Sequence, residues 1–132
     1  MKPISYLFVI TCFLIQLPAC NNKHTDLNAY EFEKNILNDS IQIMDVRTQE
    51  EYFSGHIKNS FLANWNNQAE FIEKIKTLDK KKPVYIYSLC GRRSEVATDW
   101  MRANGFTAFN LIGGINVWKI AGLPIEHSDV VK

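Results

Sequence analysis

The stretch YIYSLCGRRSEVA, residues 85–97, concentrates the groups of this chain that could perform covalent chemistry. An aromatic and β-branched run stops at Ser88, and a helical pattern begins at Ser94. Between them lie Cys90, Gly91 and two consecutive arginines. A thiol with a glycine and two cations beside it is a candidate nucleophile in an anion-binding loop.

A strand that leads through a short loop into a helix is a common anion site, because free backbone N–H groups and the helix dipole converge there. Gly91 allows the tight curl that such a loop needs, and Arg92 or Arg93 could hold an oxyanion through paired N–H groups. We expect a thiol in this field to ionise more readily, which favours Cys90 as a nucleophile. The alternatives are a buried cysteine that packs as a small apolar residue and a loop that holds phosphate, sulfate or no ligand.

Strand and helix patterns alternate along the chain and would position this loop. Helical spacing covers residues 30–37, 48–54, 68–78, 94–103 and 116–121, and short apolar runs cover residues 41–46, 61–63, 84–87 and 106–111. Thr48 and Glu51 have the spacing of a capping box at a helix start. Strands that alternate with helices predict an α/β fold with a parallel sheet covered on both faces.

Length and charge narrow the classes of function. A chain of 132 residues has room for one domain. Fifteen basic residues face fourteen acidic ones, a balance that gives no electrostatic footprint for nucleic acid. The three histidines and the thiol lack zinc spacing, and Gly113 with Gly114 lacks the spacing of a dinucleotide fingerprint. We therefore expect no metal and no cofactor.

The first residues predict export. Lys2 precedes an apolar run, residues 4–17, which is too short to span a bilayer comfortably. The run ends in LPAC, residues 17–20, which resembles the lipobox of bacterial lipoproteins. Cleavage after Ala19 would leave Cys20 as a lipid-modified N-terminus. The alternatives are a plain secretory signal and a short membrane anchor.

The predicted organisation is a signal peptide at residues 1–19, a polar tether at 20–26, one domain at 27–127 and a C-terminal tail at 128–132. The protein would lie at the cell envelope, held to a bacterial membrane by its lipid alone, on the periplasmic side or the surface. Cys12 would leave with the signal and Cys20 would carry lipid. Cys90 would then be the one free thiol of the mature chain, unable to form an internal disulfide.

Longer motifs raise the specificity of this interpretation. They are DVRTQEEYFSGHIKNS at residues 45–60, YSLCGRRS at 87–94 and LIGGINVWKIAGLPI at 111–125, with the apolar IQIM just before the first. In order and spacing they resemble the single-domain rhodanese family, from about residue 26 to residue 125. The resemblance implies a central parallel sheet of about five strands, flanked by helices on both faces.

The resemblance also implies sulfur transfer. In this family a loop cysteine attacks the outer sulfur of a donor such as thiosulfate, releases sulfite and passes the persulfide sulfur to a thiophilic acceptor. Related phosphatases and arsenate reductases use a loop that is one residue longer. The six residues 88–93 of this chain therefore favour sulfur transfer over phosphate hydrolysis.

The loop departs from the family at its nucleophile. The family pattern is Tyr-Cys-x-x-Gly-x-Arg-Ser, and four residues of this chain match it: Tyr87, Gly91, Arg93 and Ser94. The cysteine position holds Ser88, whose hydroxyl barely ionises at neutral pH and cannot form a persulfide. Moving Cys90 into that position would put Glu95 where the loop-closing arginine belongs, so we reject that register.

The resulting candidate site has three parts. The candidate catalytic residues are Cys90, Ser88 and Arg93; the anion-binding loop adds Leu89, Gly91, Arg92 and Ser94. Asp45 and Arg47 end a strand beside the loop, and we expect them to orient it through an ion pair or hydrogen bonds rather than to react. Mid-loop amides should point inward, which would put the Cys90 side chain at the rim of the pocket.

Three functions remain open from the sequence. Cys90 could be an unconventional sulfur carrier; the domain could be catalytically silent and bind an anion or a partner protein; or Cys90 could form mixed disulfides in a redox role. The expected ligand is a small sulfur-containing anion or thiol, and a protein partner is open. A Cys90 side chain directed into the loop amides favours the first function, and one directed to solvent favours the other two.

Overall fold

The computed structural model describes residues 26–38 and 40–127. The predicted signal peptide at 1–19, the predicted lipid site Cys20, the predicted tail at 128–132 and all but the last residue of the predicted tether lie outside these residues. Within the described ranges, no helix is both long and apolar enough to cross a membrane.

Helices and strands alternate along the described chain, as the patterns predicted. The helices are α1 (Ala29–Ile36), α2 (Gln49–Phe53), α3 (Gln68–Ile75), α4 (Arg92–Ala103) and α5 (Gly114–Ile120). The strands are β1 (Gln42–Asp45), β2 (Ser60–Leu62), β3 (Val84–Tyr87) and β4 (Ala108–Asn110). The predicted capping box at the start of α2 is confirmed: Thr48 and Glu51 each bond the other's backbone N–H through their side chains.

The strands form one parallel sheet in the order β2-β1-β3-β4. This confirms the predicted α/β fold with a central parallel sheet, but the described chain contains four strands and not about five. Leu27 pairs in parallel with Leu111 as an isolated bridge. The pairing stops after one residue because Asn28 caps α1 and turns the chain into a helix.

Each face of the sheet is buried under its own core. Along β3, Val84 and Ile86 enter one core while Tyr85 and Tyr87 enter the other, as the two-residue period of a strand requires. The first core is covered by side chains of α3 and α4, and the second by side chains of α1 and α5, including the fully buried pairs Phe71 with Met101 and Phe32 with Ile115. Because β3 is packed on both faces, the loop that follows it has a defined position.

Candidate functional site

The loop after β3 is shorter than the sequence pattern suggested. Helix α4 begins at Arg92, two residues before Ser94, because Gly91 takes a left-handed conformation with φ of 93° and acts as the N-cap. L side chains rarely adopt this conformation. Arg92 and Arg93 thus lie in the first helical turn, where successive side chains point about 100° apart. The two arginine side chains therefore point into different surroundings.

Ser88 is fully buried at the centre of this loop. Its Oγ accepts the backbone N–H groups of Gly91 at 3.1 Å and Ser94 at 3.3 Å, and lies 3.0 Å from the Ser94 Oγ. The Ser94 hydroxyl donates to the Gly91 carbonyl at 3.1 Å. The Ser88 proton is therefore directed at the Ser94 oxygen, and the Ser88 hydroxyl uses its full hydrogen-bonding capacity without contacting a base.

The start of α5 closes the loop from the other side. The Ile115 N–H donates to the Ser88 carbonyl at 2.9 Å, and the Asn116 N–H donates to the Leu89 carbonyl at 3.1 Å. This approach depends on Gly114, where a Cβ atom would lie 2.4 Å from the Ser88 carbonyl oxygen. Sequence analysis compared the glycine pair only with a dinucleotide fingerprint and missed this contact; the signal was a second glycine at a helix start.

Cys90 lies at the rim of the loop and is exposed to solvent. It contributes to an open recess of about 210 Å³ beside α4 and β4. The lining residues are Asp26, Cys90, Gly91, Arg92, Glu95, Asn110, Ile112 and Gly113. The structure thus separates the two candidate nucleophiles, with Ser88 inside the loop and Cys90 in a solvent-facing recess.

Arg93 faces away from that recess and pairs with Glu51 at the start of α2. Its Nη1 and Nη2 donate to the two carboxylate oxygens at 2.8 and 2.7 Å. The bond from Arg93, helped by the Thr48 N–H, lowers the pKa of Glu51 to about 2 against the effect of burial, and Glu51 in turn raises the pKa of Arg93. The catalytic role assigned to Arg93 stays a prediction; in the structure both Nη atoms join α4 to α2.

Arg92 is the cation that the loop presents to solvent. Its side chain is exposed, lines the recess with Cys90 and forms no ion pair within the part of the chain that the structure describes. The arginine available to an incoming anion is therefore Arg92.

Asp45 and Arg47 form a buried ion pair at the carboxyl end of β1. Their side chains are 0% and 1% exposed, and Arg47 Nη2 lies 2.7 Å from both Asp45 Oδ2 and the Gly55 carbonyl oxygen. The guanidinium lies 5.7 Å from the centre of the Tyr87 ring. Burial, assisted by Asp45, raises the pKa of Tyr87, whose hydroxyl accepts the Ile57 N–H. The expected ion pair thus connects β1, the turn after α2 and the residue before Ser88.

Asn110, at the end of β4, is a site residue that sequence analysis missed. It is 3% exposed and lines the recess. Its Nδ2 donates to Asp26 at 3.2 Å, and the other oxygen of Asp26 accepts from Arg102 at 3.2 Å. Asp26 is the last residue of the predicted tether, and its side chain contacts the domain. The available signal was a polar residue inside the apolar run AFNLI.

A second cavity, of about 300 Å³, lies elsewhere. It is lined by Glu33, Ile36, Leu37, Ile57, Lys58, Asn59, Trp118 and Pro124. None of the predicted site residues lines it, so this cavity does not belong to the loop site.

The comparisons with known proteins agree with this architecture. Residues 28–121 match the family described as rhodanese-like domain. Thiosulfate sulfurtransferase GlpE of Coxiella burnetii is 36% identical over 80 residues, which cover 60% of this chain and 72% of the relative. A rhodanese-related protein of Thermoplasma volcanium superposes with a TM-score of 0.70 at 28% identity, over 78% of this chain and 98% of that one.

A rhodanese-like domain protein of Staphylococcus aureus is similar to the same extent, with a TM-score of 0.68 at 28% identity, over 80% of this chain and 99% of that one. The family match spans well over half of the sequence. The chain therefore belongs to the rhodanese-like family, in which sulfur transfer is the activity of curated relatives.

Proposed function

We propose that this domain carries sulfur on Cys90 and takes it from persulfide donors rather than from thiosulfate. The observation that carries the proposal is the division of roles within the loop. At the family's nucleophile position, the Ser88 oxygen accepts hydrogen bonds from two backbone N–H groups of the loop. The Cys90 thiol, two residues later, is exposed.

Thiosulfate chemistry at the loop centre is disfavoured by the surroundings of Ser88. A nucleophile there would have to be the serine oxygen, whose proton is directed at the hydroxyl of Ser94 and not at a base. The amides of Gly91 and Ser94 donate to this oxygen, where the family has a cysteine sulfur. The nucleophile of a thiosulfate sulfurtransferase is therefore missing at this position.

A persulfide donor makes smaller demands on the site. Cys90 loses its proton to solvent, its thiolate attacks the outer sulfur of R–S–SH, and the S–S bond breaks. The donor leaves as a thiolate that takes up a proton, and Cys90 holds one added sulfur. The exchange needs no external oxidant or reductant, and an exposed thiol can meet the donor without entering the loop.

The test uses the full chain with Cys12→Ser and Cys20→Ser, so that Cys90 is its single thiol. The protein is exposed separately to a freshly prepared alkyl persulfide and to thiosulfate, and intact mass is read for one added, reductant-labile sulfur. We expect the adduct with the persulfide alone and its loss in Cys90→Ser. A folded protein without an adduct from the persulfide would rule out the proposal.

The second candidate is a catalytically silent module that binds an anion or a partner protein. The saturated hydrogen bonds of Ser88 favour it, because they leave the loop ordered without a reactive group at its centre. The same mass experiment separates the two candidates, since a silent module acquires sulfur from neither donor. Mixed disulfides of Cys90 formed from a small disulfide, without sulfur transfer, would indicate the redox role instead.

We also propose that the domain is exported and anchored through lipid on Cys20. The support is the apolar run followed by LPAC before a polar stretch. Mass spectrometry of the N-terminal peptide from the bacterial membrane fraction should show a diacylglyceryl-modified Cys20 and no residues 1–19. In Cys20→Ala the lipid should be absent; an unmodified, uncleaved N-terminus in the unaltered chain would refute the anchor.

A further inference from the structure

The recess beside Cys90 contains a buried acceptor without a donor. The Oδ1 atom of Asn110 has no hydrogen-bond partner within residues 26–38 and 40–127. Buried amide oxygens are nearly always bonded, so such an atom is a point where a ligand hydrogen bond would be gained. Asn110 lines the same recess as Cys90, so the thiol has a neighbour able to recognise a substrate.

The orientation of the Asn110 amide is fixed by its other partner. Nδ2 donates to the Asp26 carboxylate at 3.2 Å, and rotating the amide would bring two oxygens together. The Asp26 carboxylate is itself held by Arg102. The Oδ1 atom is therefore left as an acceptor, and the group that satisfies it must carry an N–H or O–H donor.

The recess also offers charges of both signs. Arg92 and Glu95 are exposed in its lining, and neither forms an ion pair within the described part of the chain. Both lie in the first turn of α4, three residues apart, and Cys90 lies just before the helix. A ligand with a positive and a negative end would pair with both, whereas a simple anion such as thiosulfate would be repelled by Glu95.

We infer that the recess binds the persulfide of a small thiol compound bearing both an ammonium and a carboxylate group, and presents its outer sulfur to Cys90. The ammonium donates to the Asn110 Oδ1 and faces Glu95, while the carboxylate pairs with Arg92. This inference rests on the proposed function and names the class of donor for the same thiol. In the reaction, the outer sulfur of the amino-acid persulfide passes to Cys90, the S–S bond breaks, and the free amino-acid thiol is released.

Four persulfides of similar size test the inference on the chain with Cys90 as its single thiol. They are the persulfides of cysteine, with both charges; cysteamine, with the ammonium; mercaptoacetate, with the carboxylate; and mercaptoethanol, with neither. The rate of sulfur addition to Cys90 is followed by intact mass. We expect cysteine persulfide to react at least about tenfold faster than the other three at low donor concentration.

Variants connect that preference to the recess. Asn110→Leu and Glu95→Gln should each slow the cysteine and cysteamine persulfides, and Arg92→Gln should slow the cysteine and mercaptoacetate persulfides. The rate with mercaptoethanol persulfide on the same variant is the reference, so that a general change in Cys90 reactivity divides out and the loss specific to each charged donor remains. Asp99→Asn is the matched control for Glu95→Gln, because it removes the same negative charge on the next turn of α4, outside the recess.

The outcomes are distinct. Absence of sulfur addition from all four donors would overturn the proposed function itself. Equal rates from all four donors would leave sulfur transfer intact and refute the recognition of a zwitterion. Should Asn110→Leu fail to fold, the two exposed substitutions still decide the question, because unchanged preferences in both would refute the assignment.

Discussion

At the scale of single residues, this loop has Ser88 where the family pattern has a cysteine. Its own cysteine, Cys90, lies two positions later. The Ser88 Oγ receives two backbone N–H groups within 3.3 Å. The same two donors would stabilise a thiolate, which is a far better nucleophile than a serine oxygen at neutral pH. The chemistry of the loop therefore depends on which atom occupies that point.

Ser88→Cys should create thiosulfate sulfurtransferase activity. The new sulfur would lie where the amides of Gly91 and Ser94 converge, so we expect a gain of at least about tenfold over the unaltered chain. A thiosulfate-to-cyanide assay measures it, with Cys90→Ser added as a control that should retain the gain. A folded variant that stays inactive would show that more than the nucleophile has been lost.

The ion pair between Glu51 and Arg93 should make stability depend on acid pH. Because the pKa of Glu51 is lowered to about 2 in the folded protein, its contribution is complete above the ordinary carboxyl pKa of 4.5 and is lost as the pH falls towards 2. Glu51→Gln should reduce the free energy of unfolding by about 2 kcal/mol at pH 7.

Urea unfolding of both proteins between pH 7 and pH 2 tests this dependence. The difference in unfolding free energy should be constant above about pH 5.5 and should narrow below pH 4.5. Glu50→Gln is the matched control, since Glu50 is exposed in the same helical turn and makes no ion pair within the described residues. An equal loss in both variants would contradict the assignment to the Arg93 contact.

At the scale of elements, the site is the meeting point of two helix starts and one strand end. Strand β3 leads into the loop, α4 begins at its far side, and α5 donates two N–H groups to its carbonyl oxygens. The contact between α5 and the loop requires a residue without a side chain, because the backbones approach within the volume of a Cβ atom.

Gly114→Ala should therefore destabilise the protein and the loop together. Both Gly114 and Gly122 have positive φ, at 61° and 72°, but a Cβ at Gly122 would meet no atom within 4 Å. Gly122→Ala should cost about 1 kcal/mol from backbone strain alone, and Gly114→Ala should cost roughly 2 kcal/mol more. Denaturant unfolding compares them; equal costs would mean that the close approach at Gly114 is readily relieved.

At the scale of the whole molecule, the sheet separates two cores that have no side chain in common among residues 26–38 and 40–127. Ile75 lies in the core under α3 and α4, and Ile115 in the core under α1 and α5. Both cores contact β3, which carries the loop, so the position of the site depends on packing on both faces.

Substitutions on opposite faces should add. Ile75→Val and Ile115→Val should each reduce the unfolding free energy by about 0.5–1.5 kcal/mol, and the double variant should show their sum within about 0.5 kcal/mol. Ile75→Val combined with Ile86→Val, within one core, provides the comparison. Strong coupling across the sheet would indicate that β3 transmits repacking from one face to the other.

The order of elements, the parallel sheet, the capping box at Thr48 and the family all followed from the sequence. They depend on local signals, namely the period of apolar residues, capping residues and turn glycines. Each of these acts over a few positions and can therefore be recognised from the sequence alone. The four apolar runs correspond to the four strands, whereas the number of about five came from the family resemblance. Leu27 adds only an isolated bridge to Leu111, because Asn28 caps α1 directly after it.

The contacts of the site were decided by the tertiary structure. Residues far apart in the chain supply the pairing of Arg93 with Glu51, the pairing of Asn110 with Asp26, and the approach of Gly114 to Ser88. The sequence placed a thiol, a serine and two arginines in one loop. Which of them is buried and which faces solvent follows from the directions that a left-handed glycine and the packing of two helix starts impose on their side chains.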